Sequence, residues 1–175
     1  MKFTQLYTLI RENQKTIDEM AHSKGFHNKA FHGTSSKWKA YEFGKRATDA
    51  PDEAIYLTDS HEEAIIAGSP NRNKSIVMEL FYKAENPFIV DAKGTEKDRS
   101  FGKAGYRKLI ALAKAKGHDS AIIKNIIDFG DSPQTTIIIF NPSSIKSSDS
   151  VTYDDNNIEI PLSQRFDVTK DDIRY

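Results

Sequence analysis

Cysteine is missing from this chain altogether. That absence removes disulfides, thiolate nucleophiles and cysteine-based zinc sites, and it leaves the redox compartment undecided. An excess of charge is missing too, since 25 Lys and Arg stand against 25 Asp and Glu and the formal net charge is zero. The long-range attraction behind non-specific nucleic-acid binding is therefore absent, and only a local basic groove would serve instead. No apolar run approaches a membrane span, and Met1-Lys2-Phe3-Thr4-Gln5-Leu6 lacks the apolar stretch of a signal peptide. The expectation is a cytoplasmic chain with no membrane partner. There is also no P-loop, no G-x-G-x-x-G, no metal-ligand spacing, no repeat and no low-complexity tract, so no metal site is expected.

What is present suits one folded unit: 175 residues, 38% hydrophobic and 29% charged, enough to bury a core without a second full domain. Phe3, Leu6, Ile10, Ile17, Met20 and Ala21 recur at helical spacing, and Gly25 follows where a C-cap glycine belongs, which predicts an opening amphipathic helix. Lys29 to Thr34 and Ala54 to Thr58 read as short strands, separated by a long polar loop, Ser35 to Asp52, that carries Trp38, Tyr41 and Phe43. Ser60-His61-Glu62-Glu63 reads as a capping box opening a helix with Ala64, Ile65 and Ile66, ended at Gly68-Ser69-Pro70-Asn71. Ser75 to Lys83 alternates as a strand, and Phe88-Ile89-Val90 follows as another. A helix from Tyr106 to Lys116 stops at Gly117 and returns to a strand at Ser120 to Ile123. Ile126 to Pro133 reads as a loop, and Thr135 to Phe140 as the strongest strand, ended by Asn141-Pro142. Apolar residues thin out after Ser147, so residues 1–146 are expected to form the domain and residues 147–175 a polar, loosely packed tail or linker.

Two segments narrow the chemistry. Phe31-His32-Gly33-Thr34 places a histidine-glycine step in a strand-like run, and Ile55-Tyr56-Leu57-Thr58-Asp59 does the same for a tyrosine; together they can hold a nicotinamide ring. Singly, each has a plainer reading, a turn histidine and a core tyrosine. His22, His27, His61 and His118 have no such company and read as surface or cap residues.

With the late strand Ile138-Ile139-Phe140-Asn141-Pro142-Ser143-Ser144-Ile145-Lys146, this order of motifs resembles the ADP-ribosyltransferase superfamily, in its histidine-tyrosine-glutamate branch that includes diphtheria-toxin-like and poly(ADP-ribose)-polymerase-like enzymes. The helix ahead of the His-Gly strand makes it most similar to the transferase domains of phage and mobile-element polyvalent proteins, over roughly Met20 to Lys146. Ile160-Pro161-Leu162-Ser163-Gln164-Arg165-Phe166 resembles linker segments of those proteins. The resemblance implies an α+β fold with a split β-sheet core, an N-terminal helix and a few flanking helices. It implies NAD as substrate, cleaved at the nicotinamide-ribose bond through an oxocarbenium-like transition state, with ADP-ribose passed to a macromolecular acceptor, a protein more than a nucleic acid. A cytoplasm, its own or a host's, and a larger phage or mobile-element polypeptide are the context it suggests.

On that resemblance, His32 would hydrogen-bond ribose hydroxyls, the Gly33 backbone would pair with the carboxamide, Thr34 or Ser35 would add a hydroxyl, and Tyr56 would stack on nicotinamide. The chain departs from the pattern twice. No glutamate begins the late strand: Gln134 and Thr136, on one face by the two-residue period, compete for its place. Counting back from Phe140 favours Thr136, while chemistry favours Gln134, which is the choice made here. Asp128 or Asp131 would be substitutes for the lost charge. Ala67 stands where a second aromatic is expected, so the ring clamp is one-sided, or completed by Ile66 or by Trp38 or Tyr41 of the long loop. These departures favour single-unit transfer over polymer elongation, and keep open an NAD glycohydrolase, a relative of RNA 2′-phosphotransferases for which only Arg46 and Arg72 lie near the motifs, or a degenerate module that binds NAD or ADP-ribose.

Overall fold

A computed structural model of the chain describes residues 3–35, 54–69, 74–102 and 105–175. The elements in order are helix α1 (Phe3–Ser23), strands β1 (Asn28–Thr34) and β2 (Ile55–Thr58), helix α2 (His61–Gly68), strands β3 (Ile76–Tyr82) and β4 (Pro87–Glu96), helices α3 (Lys97–Phe101) and α4 (Arg107–Ala115), and strands β5 (Ser120–Ile127), β6 (Gln134–Ile139) and β7 (Ile145–Ser147). The fold is α+β. Seven strands form one mixed sheet in the order β4-β5-β6-β2-β1-β3-β7, in which β4 and β5 run parallel and every other neighbouring pair is antiparallel.

The sheet is split in the middle. β1 pairs with β3 from Asn28↔Tyr82 through Thr34↔Ile76, and β2 pairs with β6 along its whole length, yet β1 and β2 are in register at Phe31↔Thr58 alone. Alternation along the strands divides the core in two. Ala30, Ile55, Leu57, Leu80, Ile137, Ile139 and Ile145 pack on one face, while Ile138, Ala121 and Ile123 meet Tyr106, Leu109 and Ile110 at α4 on the other. The opening helix buries Ile17 and Ala21 against Phe26, Phe81 and Phe166, and Gly25 terminates it at φ +88°, where a side chain would be strained.

Three expectations are corrected. The β5 strand runs past Ile123 to Ile127, because a bulge with Asn125 at φ 54° absorbs the polar Lys124-Asn125 step and pairing resumes at Ile126↔Gln134. The strand at Phe88 likewise extends to Glu96, and α3 and β7 are additional. The segment after Ser147 is not loosely packed: Ile160, Phe166 and Ile173 are buried, Phe166 in the α1 core and Ile173 in the Leu80 core. Full burial of such a side chain contributes about 1.5–3 kcal/mol. Polar groups reinforce it, because the buried Arg165 guanidinium donates to the carbonyls of Ser147, Asp149 and Ser150 and Lys146 Nζ donates to those of Lys170 and Asp172. A sparse apolar content was enough because Phe166 and Ile173 point into existing cores. Among the described residues, no helix is long and apolar enough to cross a membrane.

Candidate functional site

The seam between β1 and β2 gathers the two sequence motifs. His32, on β1, is 3% exposed, and its Nδ1 lies 2.9 Å from the Tyr56 carbonyl oxygen on β2. A carbonyl can only accept, so Nδ1 carries the proton and, in the neutral ring, Nε2 is an acceptor. The imidazole thus ties together two strands that share little backbone pairing, and the tautomer is the one suited to receiving a hydroxyl proton.

Gly33 is required for a reason the sequence did not disclose. Ser60 caps α2, its Oγ accepting from Glu63 N at 3.2 Å, and directs the helix across β1. A Cβ on Gly33 would stand 1.7 Å from Ala64 O, and one on Gly68 would stand 2.8 Å from Thr34 N. Two glycines therefore let helix and strand touch backbone to backbone, so the side of Gly33 that lacks a Cβ faces α2. Thr34 and Ile66 are half-buried beside this crossing, and Ala67 is exposed.

Tyr56 is half-buried and belongs to an aromatic cluster. Its ring centroid is 6.0 Å from that of Tyr106, which in turn meets Phe101 at 5.2 Å. Carbon atoms in contact stand about 3.5–4.0 Å apart, so a third ring between Tyr56 and Tyr106 would need about 7 Å. Tyr106 therefore supports Tyr56 and leaves no slot for a ring between them. The Tyr106 hydroxyl donates to Asp128 at 2.7 Å, and Lys97 Nζ pairs with the other Asp128 oxygen at 2.7 Å. Burial pushes the Tyr106 phenol well above its ordinary value, with the Asp128 carboxylate reinforcing the shift. Asp128 is thus matched by a cation and a donor, which argues against it as the compensating anion, and Asp131 is exposed.

Both candidates for the third position are buried on β6, Thr136 at 5% and Gln134 at 8% exposure. By register Thr136 faces Thr58, and Phe31 faces Thr58 from the other side, so Thr136 lies level with the His-Gly strand. Tyr56 faces Ile138, which puts Thr136 about 7 Å and Gln134 about 14 Å along the strand from it at about 3.4 Å per residue. Asp59 pins the start of β6 by accepting from Thr135 N at 2.7 Å. Gln134 Nε2 donates to Glu63 Oε1 at 3.0 Å, and the same oxygen accepts from Phe129 N at 2.5 Å and Gly130 N at 3.3 Å.

Glu63 is the residue the sequence reading undervalued. Only half of the expected capping box forms: Ser60 receives Glu63 N, but Ser60 N donates to Thr58 Oγ1 at 3.1 Å, which frees the Glu63 carboxylate to reach the loop before β6. Nothing local in the sequence marks that long-range contact. Of the remaining site candidates, Trp38, Tyr41 and Phe43 lie outside the described residues, as do Arg46 and Arg72. His22, His27 and His61 are exposed and His118 is half-buried, hydrogen-bonded to Asn86 O.

The family described as ADP-ribosyltransferase in polyvalent proteins matches residues 22–154. Searches of curated proteins and of solved structures returned no significant match. The matched span contains the His-Gly strand, the tyrosine strand joined to it by His32, and β6, and by that match the chain belongs to the ADP-ribosyltransferases of polyvalent proteins.

Proposed function

We propose that this domain is a mono-ADP-ribosyltransferase that consumes NAD and modifies a macromolecular acceptor. The observation that carries the reading is the His32 bond to the Tyr56 carbonyl, because it joins the two motif strands and fixes the imidazole in the tautomer that accepts from a ribose hydroxyl. Tyr56 supplies the ring for nicotinamide to stack on, and Gly33, Thr34, Ile66 and Trp38 are the further candidates for NAD contact. The nicotinamide-ribose bond breaks with its electron pair leaving on nicotinamide, the ribosyl carbon becomes oxocarbenium-like, and the acceptor's nucleophile closes the new bond as it loses its proton. Gln134 is the proposed third residue, accepting from a ribose hydroxyl or from the acceptor, and Thr136 is its rival. Zero net charge favours a protein acceptor over nucleic acid. Work in a cytoplasm, within a larger phage or mobile-element polypeptide, is the setting that suits the family.

A second reading has its own support: Ala67 is exposed where a ring was expected, and Gln134 carries no charge, both of which suit an NAD glycohydrolase or a binding module. Adenine-labelled NAD in a cell extract, with wild type beside Tyr56→Ala, separates the readings. Label on macromolecules with wild type alone establishes transfer, and protease against nuclease digestion names the acceptor class. Free nicotinamide without label indicates hydrolysis, and neither product indicates a binding module.

A further inference from the structure

Gln134 cannot supply the negative charge that a glutamate would set beside the oxocarbenium, and Asp128 is already held by Lys97 and Tyr106. Glu63 meets the need differently. Its residue is 6% exposed, and its Oε1 gathers three N–H donors, two from the backbone of the loop before β6 and one from the Gln134 amide. Among the described residues no Lys, Arg or His forms an ion pair with it. The loop is shaped around it, since a Cβ on Gly130 would stand 2.7 Å from Glu63 Oε2. A carboxylate only accepts, so the Gln134 amide must present Nε2 to Glu63, and its other corner, Oε1, is the acceptor that remains.

We propose that Glu63 is a positioning residue for the transfer reaction: it locks the Gln134 amide with Oε1 as the available acceptor and places next to that amide the negative charge Gln134 lacks. This rests on the reading of the domain as an NAD-consuming transferase. A negatively charged partner on Nε2 also draws electron density toward Oε1, so the pair divides between two side chains what one carboxylate does alone. The charge resides on α2, and the contact with the reacting sugar resides on β6.

The test uses Glu63→Gln, Gln134→Glu and the double exchange Glu63→Gln with Gln134→Glu, with melting temperature recorded for each. Before NAD is added, the 15N-labelled side-chain amide of Gln134 is compared between wild type and Glu63→Gln. Its resonance is expected to move when its charged acceptor becomes a neutral amide; a Gln134 amide unchanged in Glu63→Gln overturns the pairing. Nicotinamide release under saturating NAD is then measured beside NAD affinity. Glu63→Gln is expected to lower release about 100-fold, the scale of losing one preorganised electrostatic group, with affinity changed less than about threefold. Gln134→Glu alone sets two carboxylates together, so activity should acquire a limb at raised pH as they share a proton. The double exchange should recover most of the activity and lose that limb. Unchanged release in Glu63→Gln, or full activity in Gln134→Glu without a new limb, overturns the catalytic role. A wild type that neither binds nor cleaves NAD overturns the transferase reading and the catalytic half of this inference with it, while the amide comparison decides the pairing by itself.

Discussion

His32 Nδ1 donates to the Tyr56 carbonyl across the split of the sheet at 2.9 Å, so a residue expected to line a binding site also closes a gap in the fold. His32→Ala therefore does more than remove a ligand contact. It leaves a carbonyl without its donor and a small void in a position only 3% exposed, at a cost of about 1–3 kcal/mol. Urea denaturation should show that loss alongside the loss of NAD turnover. A variant with wild-type stability would mean that the seam is held by other contacts.

Tyr56 and Tyr106 should separate by chemistry. Tyr56→Ala is expected to abolish turnover, whereas Tyr56→Phe keeps the ring and should retain most of it. Tyr106→Phe removes the 2.7 Å bond to Asp128 and should destabilise by about 1–3 kcal/mol, because a buried carboxylate loses one of its two partners. Thermal melts and nicotinamide release measured on the three variants check both statements.

Gly33→Ala drives a methyl group into the Ala64 carbonyl, which is backbone and has no rotamer to escape by. We expect α2 to shift off β1 and stability to fall by about 1–3 kcal/mol or more, the usual range for overpacking. A variant as stable as wild type would show that the crossing has slack.

On β6, Gln134→Ala is expected to lower transfer more than NAD affinity, since the contact proposed for it is with the transferring sugar. Thr136→Ala should act mainly on stability, since the side chain is buried on β6. If Thr136→Ala removes transfer and Gln134→Ala does not, the third position is Thr136, as its level beside the His-Gly strand allows.

Burial lowers the Lys146 ammonium from its ordinary 10.5 to about 8, despite the opposing pull of Asp167, Asp172 and Asp171. Below pH 8 both folded and unfolded chains hold the proton, and the cost of burying the charge is present in full. Between pH 8 and 10.5 the unfolded chain binds a proton that the folded one does not, so this group makes stability rise with pH. Denaturation midpoints of wild type and Lys146→Met across pH 7 to 10.5, the interval set by that shift, should diverge in that sense; parallel curves would show that Lys146 does not titrate there.

Much of this protein was determined by the sequence itself. Period-two and helical spacing place most of the helices and strands near their observed limits, because local burial demands are written in which residues alternate. The histidine-glycine and tyrosine strands carried the family. What the tertiary structure decided lies in contacts between distant segments. The polar Lys124-Asn125 step reads as the end of a strand, yet a bulge carries β5 on to pair with Gln134. Residues 147–175 read as a loose tail, but Phe166 and Ile173 enter cores that only exist once the sheet has formed. Glu63 reads as a helix cap, since a capping box needs only residues three apart, while its carboxylate bonds to a loop and a strand that the chain reaches more than sixty residues later. Spacing along the chain specifies the faces of helices and strands; which buried donor finds which acceptor is specified only when packing brings them within 3 Å.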